Sequence, residues 1–173
     1  MANTTFSGPV RSEDGFDVVS KSSTTGAFTT EFSLDGSGLQ VTPITFSDAD
    51  TTLTATANAG RVNVVPAITG NRTLTLPSPT AGVWFKFIYG GAAEEAENLI
   101  FDTGSDTNYF IGGVIHLDSN ADNVSVYADG NSNSILTLTD FGLFEINILA
   151  KDSTNWIIWG HQEGADVPAF SDQ

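Results

Sequence analysis

Apolar and polar residues alternate along short segments of this chain, and this period of two is the feature that most constrains its fold. In residues 144–148, apolar side chains alternate with Glu145 and Asn147, and Leu74 and Leu76 alternate with threonines in the same way. Side chains spaced like this point to opposite faces of a β-strand, so one face meets a core and the other meets water. Turn-forming residues recur about every 8–12 positions, as they do in sandwiches and barrels. The pattern predicts an all-β fold: an antiparallel β-sandwich or a jelly-roll or barrel-like domain.

The predicted strands show this alternation or are rich in β-branched and aromatic residues. They lie at residues 27–34, 39–46, 51–57, 61–65, 72–76, 83–89, 98–102, 113–117, 124–128, 135–139, 144–150 and 156–159. One helical turn is predicted at 92–97, where alanines and glutamates predominate. A segment of this length does not form a stable helix alone, so it is expected within a crossover loop.

Two predicted strands are apolar on both faces. Residues 83–89 (VWFKFIY) contain one charged side chain, and residues 156–159 (WIIW) contain none. A strand of this kind is central to two packed layers, or its second face meets a partner subunit. Because a closed cyclic assembly buries a second face without the help of disulfides, we expect a homotrimer.

The charge balance argues against several classes of partner. Six basic residues against 21 acidic ones give a formal net charge of −15 at pH 7. Such a protein is repelled by nucleic acid and by anionic lipid, so we expect no nucleic-acid partner and no membrane partner. The chain has no cysteine, which excludes disulfides, thiolate metal sites and a cysteine nucleophile. It also lacks a long apolar run and a secretory start, so we expect a soluble protein made in a cytoplasm.

Acidic residues crowd one region and raise the possibility of hydrolysis, because glycosidases use paired carboxylates. The residues concerned are Glu94, Glu95, Glu97, Asp102 and Asp106. A solvated acidic loop accounts for the same composition and is the interpretation adopted here. The two histidines, His116 and His161, lack the HExxH spacing of a metalloprotease, and no GxSxG motif accompanies them. We therefore predict that the protein is not an enzyme, has no catalytic residues and needs no cofactor.

The segment from Asp118 to Asp129 resembles a calcium loop in its spacing. Asp118, Asn120, Asp122 and Asp129 stand at the first, third, fifth and twelfth positions of an EF-hand-like pattern. However, Asn123 replaces the turn glycine, and the flanking segments are predicted strands rather than helices. Asn-rich and Asp-rich turns produce such spacings because these side chains favour turn conformations. A turn without a metal is therefore predicted, with a cation site as the alternative.

Aromatic side chains offer flat faces on which sugars could stack. The candidates are Trp84, Tyr89, Tyr109, Tyr127, Trp156 and Trp159. Most lie inside predicted strands, where aromatic residues usually belong to a core or an interface. The sequence leaves both interpretations open.

The first 25 residues are predicted to form an extended N-terminal arm and hinge, and residues 26–173 the β-domain. The opening stretch has no hydrophobic periodicity, so it cannot bury enough apolar surface to fold alone. A Ser/Thr-rich run near residues 20–26 is predicted to be the hinge. The arm is the predicted partner contact, with Phe6, Val10 and Phe16 as apolar anchors and Arg11 as the charged one.

The opening motifs MANTTF, GPVRS and GF, within residues 1–16, resemble the start of virion structural proteins of marine tailed bacteriophages. A second resemblance lies in LTLP (74–77), YADGNSNS (127–134), and the NW and WG pairs at 155–156 and 159–160. The resemblance implies a capsid decoration (cement) protein. Such a protein binds the outer surface of the viral head and stabilises the shell of the major capsid protein, its partner. It is located on the virion and is made in the host bacterial cytoplasm. The alternative is a phage fibre or adhesin module that binds a host surface glycan.

Overall fold

The computed structural model describes residues 16–35, 38–40, 42–118 and 123–173. These residues belong to two compact units, one ending at Thr42 and the other beginning at Pro43. The strands are β1 (Phe16–Lys21), β2 (Phe28–Asp35), β3 (Gly38–Gln40), β4 (Ile44–Thr45), β5 (Thr51–Thr52), β6 (Val62–Val65), β7 (Arg72–Thr75), β8 (Trp84–Tyr89), β9 (Leu99–Asp102), β10 (Tyr109–Asp118), β11 (Val124–Asp129), β12 (Ile135–Leu138), β13 (Phe141–Ala150), β14 (Asn155–Gly164) and β15 (Ala169–Ser171). A short helix, α1 (Ala55–Asn58), follows β5. Over these described residues, no helix is long and apolar enough to cross a membrane.

The N-terminal unit contains a three-stranded antiparallel sheet, here called the N-terminal sheet, in the order β1-β2-β3. The predicted hinge is a hairpin turn, since the Ser22 amide donates to the Ala27 carbonyl at 2.8 Å and the Gly26 amide to the Ser22 carbonyl at 2.9 Å. Gly26 has a φ of 73°, a conformation that glycine adopts without strain. The predicted boundary at residue 25 thus falls inside a hairpin, and the division between units lies after Thr42.

The second unit is a sandwich of two mixed sheets, which confirms the all-β sandwich prediction. The large sheet has seven strands in the order β11-β10-β14-β13-β8-β6-β4, and the small sheet has five in the order β15-β12-β9-β7-β5. Several neighbours are antiparallel, as predicted, but β4-β6-β8 and β5-β7-β9 run parallel. From β4 to β9 the chain alternates between the two sheets, so each strand lies beside the strand two steps earlier. This flattened coil is the winding of a β-solenoid.

The C-terminal hairpin completes the large sheet. β13 pairs antiparallel with β8, and β14 pairs antiparallel with β13 and parallel with β10, so the hairpin lies between β8 and β10. Both strands predicted to be apolar on two faces, β8 and the first part of β14, therefore lie inside the large sheet with neighbours on each side.

The core lies between the two sheets and is rich in aromatic rings. Phe87 of the large sheet meets Phe101 of the small sheet edge to face, with ring centroids 5.0 Å apart, and Phe144 lies 6.4 Å from Phe101. Phe87, Phe101 and Trp156 are fully buried. Such pairs add to the hydrophobic burial that holds the layers together.

The predicted helix at 92–97 is wrong, because this segment is an irregular loop. The Glu95 amide donates to the Phe141 carbonyl at 2.9 Å, so the loop backbone is held by tertiary contacts. The helical turn forms at α1 instead, in a segment predicted as strand. There the Thr54 hydroxyl accepts from the Ala57 amide at 3.1 Å and caps the helix.

Candidate functional site

The outer face of the large sheet, which points away from the small sheet, carries a row of apolar side chains. Strand register places Ile111 of β10, Ile157 of β14, Leu149 of β13 and Trp84 of β8 side by side. Their neighbours along each strand point into the sandwich core. Directly opposed side chains of adjacent strands lie about 4.5–5.5 Å apart at Cβ, so these four form one continuous apolar strip.

The next row along the sheet adds two exposed aromatic rings. Tyr127 of β11 pairs with Gly113 of β10, and Gly113 pairs with Trp159 of β14. A Cβ at Gly113 would lie 2.8 Å from Cδ1 of Tyr127, so the tyrosine ring covers the glycine backbone. Tyr127 is 72% exposed and Trp159 is 47% exposed. Both rings thus offer apolar surface to a partner.

Polar groups of this face lie in two rows: Asn147 and Lys86 continue the second row beyond Trp159, and His161 and Glu145 belong to the third row. Ile115, His161 and Glu145 occupy adjacent positions on β10, β14 and β13. The Lys86 ammonium lies 2.8 Å from the Glu145 carboxylate, and this contact lowers the pKa of Glu145. Because the two charges offset each other, the centre of the outer face is close to neutral.

We call this surface the apolar face. Its residues are Trp84, Ile111, Ile115, Tyr127, Leu149, Ile157 and Trp159. Three of the aromatic candidates from the sequence belong to it, whereas Tyr89 and Trp156 are buried on the inner face. In β8 the signal was available, because Lys86 marks the outer face that Trp84 shares, whereas residues 156–159 contain no polar residue that could separate Trp159 from Trp156.

A pocket of about 280 Å³ opens where β8 and β14 end and β13 begins. Its lining consists of Tyr89, Gly91, Ala92, Ala93, Glu94, Gly142, Leu143, Glu163 and Gly164. The Tyr89 hydroxyl lies 2.8 Å from the Ala93 carbonyl and also contacts the Glu95 carboxylate. Burial raises the pKa of Tyr89, and Glu95 raises it further. The hydroxyl therefore stays protonated and supports the loop around the pocket.

Three of the five crowded carboxylates act as acceptors that hold loops. Glu94 accepts from the Ala165 amide at 2.6 Å, and Asp102 accepts from the Gly104 amide at 2.6 Å. Glu95 contacts Tyr89, as described above. These three carboxylates therefore have a structural role in the backbone segments that they contact.

The histidines lie on opposite faces of the large sheet. His116 is fully buried, and its Nε2 lies 2.9 Å from the Gly164 carbonyl oxygen. His161 pairs with Ile115, the residue before His116, and points to the outer face. The sheet therefore separates the two imidazoles, and they do not meet in one site.

Asp118 and Asp129 cannot be ligands of one cation, so the EF-hand-like ligand set is wrong, because the two ends of the segment lie far apart. β11 runs back along β10, so that Asp129 pairs with Ile111, while Asp118 is at the other end of β10. At about 3.3 Å per residue, the two aspartates are separated by roughly 23 Å along the strand. Residues 119–122 lie outside the described residues. Within the described part of the chain, no group of three or more His, Asp or Glu side chains is placed to hold a metal ion.

Asp129 has a structural role in the turn that follows β11. Its carboxylate accepts from the Ser132 hydroxyl at 2.6 Å and from the amides of Asn131, Ser132 and Asn133 at 2.9–3.1 Å. These hydrogen bonds, that of the Ser132 side chain first, lower the pKa of Asp129. The ionised carboxylate therefore stabilises the turn.

Of the predicted contact residues, Phe6, Val10 and Arg11 lie outside the described residues. Phe16 begins β1, pairs with Leu34 and is 46% exposed. The structure adds two exposed apolar residues of the N-terminal sheet that the sequence analysis missed. They are Val19, 46% exposed, and Phe28, 66% exposed with the Lys21 ammonium 5.5 Å from its ring centroid.

Two surfaces of the described chain thus expose neighbouring apolar side chains: the apolar face, and the face of the N-terminal sheet that carries Val19 and Phe28. No protein-family model matches the chain, and no curated protein matches it in sequence.

Proposed function

We propose that the chain is a virion structural protein of the capsid decoration type. It binds the outer surface of the viral head and stabilises the shell of the major capsid protein. The observation that carries the proposal is the exposed apolar pair Val19 and Phe28, which strand register places on one face of the N-terminal sheet, whereas Phe16 points to the opposite face. The resemblance of the opening motifs to phage virion proteins supports the viral assignment.

The size of the N-terminal sheet supports a docking role. It has three strands, and β3 contains only three residues. A sheet this small needs a covered apolar face for stability, and another surface can provide the cover. A capsid surface that buries Val19 and Phe28 would contribute about 25 cal/mol for each Å² of apolar area removed from water. Multivalent display on a particle would increase the effective affinity further.

The test mixes purified protein with heads that lack this component and measures bound copies and the resistance of the heads to heat. The double variant Val19→Glu with Phe28→Glu should bind far fewer copies, because it places charge where apolar contact is expected. Ser23→Glu, in the exposed turn of the same hairpin, adds charge without removing apolar surface and is the matched control. Full occupancy by the double variant would contradict the proposed contact.

A second variant tests the arm. Deleting residues 2–15 removes Phe6, Val10 and Arg11 but keeps Phe16 and its pairing with Leu34. The second unit should unfold at an unchanged midpoint, because its core is made of residues after Pro43. Occupancy on the heads should fall. Undiminished occupancy would assign attachment to the described part of the chain alone.

A host-glycan adhesin is the second candidate, and one observation favours it. Trp84, Tyr127 and Trp159 present aromatic rings on one face of the large sheet, where pyranose rings could stack. Binding of the purified protein to host polysaccharide that is lost in Trp159→Ala, with no occupancy on heads, would favour the adhesin over decoration.

A further inference from the structure

We infer that the apolar face of the large sheet is the contact between copies of this chain. Its occupant is the same sheet of neighbouring copies, and in the homotrimer predicted from the sequence each apolar face would turn toward the three-fold axis and contact the sheets of both other copies. The inference concerns a different surface from the proposed capsid contact, so it does not depend on the viral assignment.

The size of the surface matches that of a stable protein interface. Seven strands at about 4.8 Å spacing make the large sheet about 29 Å wide, and its ten-residue strands β10, β13 and β14 extend for about 33 Å. A standard interface buries about 800 Å² on each partner. Because the four flanking strands have only two to six residues, the strands cover roughly 760 Å² of this face, which is close to the area required.

The composition of the surface also matches an interface. The strip formed by Ile111, Ile157, Leu149 and Trp84 is entirely apolar, and charged residues are rare at the centres of protein interfaces. Trp84 and Trp159 remain 43% and 47% exposed. Tryptophan and tyrosine are the side chains that most often dominate binding energy when a partner covers them.

Charge indicates which partner fits. With a net charge of −15, two copies repel each other, and their approach costs least where the surface is neutral. The centre of the apolar face meets this requirement, because Lys86 and Glu145 offset each other at 2.8 Å. A basic partner protein would instead be drawn to the acidic surface elsewhere. An identical copy is therefore the occupant best suited to this face.

The polar groups of the face are poorly placed for a sugar. Glu145 already accepts from Lys86 and from the Asn147 amide group, the latter at 3.1 Å. A glycan site needs aromatic rings together with side chains that are free to bind hydroxyl groups. Here Lys86, Glu145 and Asn147 bind one another, and the first row of the face has no polar side chain. The face therefore favours a protein surface over a carbohydrate.

The experiment measures the mass of the purified full-length chain by light scattering at micromolar concentration. The wild-type protein should have three times the monomer mass of 18.2 kDa, and Trp159→Glu should have the monomer mass. Val167→Glu is the matched control, because Val167 is also 47% exposed but lies in the loop after β14. This control variant should keep the wild-type mass.

Circular dichroism must show that each variant is folded. If Trp159→Glu unfolds, Tyr127→Glu replaces it, because Tyr127 is 72% exposed.

The outcomes separate the inference from its rivals. A multimer that Trp159→Glu dissociates and Val167→Glu preserves supports the contact, and a dimer with this behaviour would support it while contradicting the trimer. A wild-type monomer, or a multimer that Trp159→Glu and Tyr127→Glu leave intact, would overturn it. A monomer that binds polysaccharide through Trp159 would also overturn it and assign the face to a glycan. None of these measurements uses viral heads, so they test the contact between copies independently of the decoration proposal.

Discussion

Gly112 lies in the middle of β10 and approaches the neighbouring strand more closely than any side chain allows. Its φ is 113°, and a Cβ at this position would lie 2.2 Å from the Ile158 carbonyl oxygen. The carbonyl belongs to the backbone of β14, so it cannot move without breaking the parallel ladder of the large sheet. Glycine is therefore required at this position for both conformation and space.

Gly112→Ala should lower the free energy of unfolding by about 3 kcal/mol or more, since it adds a backbone clash to a strained dihedral angle. Gly60→Ala separates the two effects, because Gly60 has a φ of 71° but nothing within 4 Å of its Cβ position. The control should lose only about 1–2 kcal/mol. Urea unfolding measures both, and equal losses would show that the close approach to β14 does not matter.

Asp140 and Asp152 should respond to pH in opposite directions. Burial and the neighbouring Asp166 raise the pKa of Asp140 above its ordinary value of 3.8. Protonated Asp140 therefore stabilises the fold below pH 3.8, and this contribution is lost as the pH rises through the pKa of the folded state. Hydrogen bonds from the Thr154 amide and from Asn155 lower the pKa of Asp152. Ionised Asp152 therefore stabilises the fold above pH 3.8, and this contribution is lost as the pH falls through the pKa of the folded state.

The corresponding asparagine variants test these signs. At pH 7, Asp140→Asn should melt at a higher temperature than the wild type, because it removes repulsion from Asp166. Asparagine also tolerates the positive φ of 39° at this position. Asp152→Asn should melt at a lower temperature. Both differences should shrink as pH falls to 3.8 and below, and the same sign for both variants at pH 7 would contradict the assigned environments.

At the scale of elements, the strands were predictable where alternation is regular, as in β13, and unpredictable where tertiary contacts decide. The predicted strand begins at Gly113, whereas β10 begins at Tyr109 and carries Gly112 and Gly113 in its interior, where glycine weakens the sequence signal for a strand. Parallel pairing was hidden because antiparallel and parallel strands share a period of two. The candidate site was partly predictable. The two-faced strands indicated an uncovered face, but only register shows that Ile111, Leu149 and Tyr127 join it.

α1 is tied to the large sheet by a buried pair of amide side chains. Asn63 of β6 is fully buried, and its amide donates to the carbonyls of Asn58 at 3.0 Å and Lys86 at 3.2 Å. Its side-chain oxygen accepts from the Asn58 side chain at 3.3 Å. Removing Asn63 would leave several buried polar groups without a partner.

Asn63→Ala should therefore cost about 2–3 kcal/mol of the free energy of unfolding, since each buried unsatisfied group costs about 1–3 kcal/mol. Val64→Ala, at the next position of β6 and on the outer face, removes apolar volume but no hydrogen bond, and should cost less. Denaturant unfolding of the two variants measures both losses in the free energy of unfolding. A smaller loss for Asn63→Ala than for Val64→Ala would mean that the amide network contributes little.

At the scale of the whole molecule, net charge opposes both folding and assembly. The 21 acidic residues outnumber the 6 basic ones, and ion pairs such as Arg72 with Asp48, at 2.6 Å, neutralise few of them. Self-repulsion of this kind destabilises a compact chain and keeps copies apart. The aromatic core and the apolar face must therefore provide attraction that outweighs this repulsion, and dissolved salt should shift the balance in their favour.

Raising sodium chloride from about 0.01 M to about 1 M shortens the Debye length from about 30 Å to about 3 Å and should raise the unfolding midpoint of the wild-type protein. The control is the same salt change near pH 4.1, the isoelectric point, where the net charge vanishes and the midpoint should barely move. Chloride is preferred to sulfate, which strengthens apolar burial at any net charge.

If the contact between copies lies on the neutral apolar face, salt should also lower the concentration at which the wild-type multimer dissociates, because screening weakens the long-range repulsion without weakening apolar contact. Trp159→Glu should still show the effect on the midpoint but should remain a monomer at high salt. An equal rise at pH 7 and at pH 4.1 would show that salt acts through solvation and that the charge of −15 is not what limits stability.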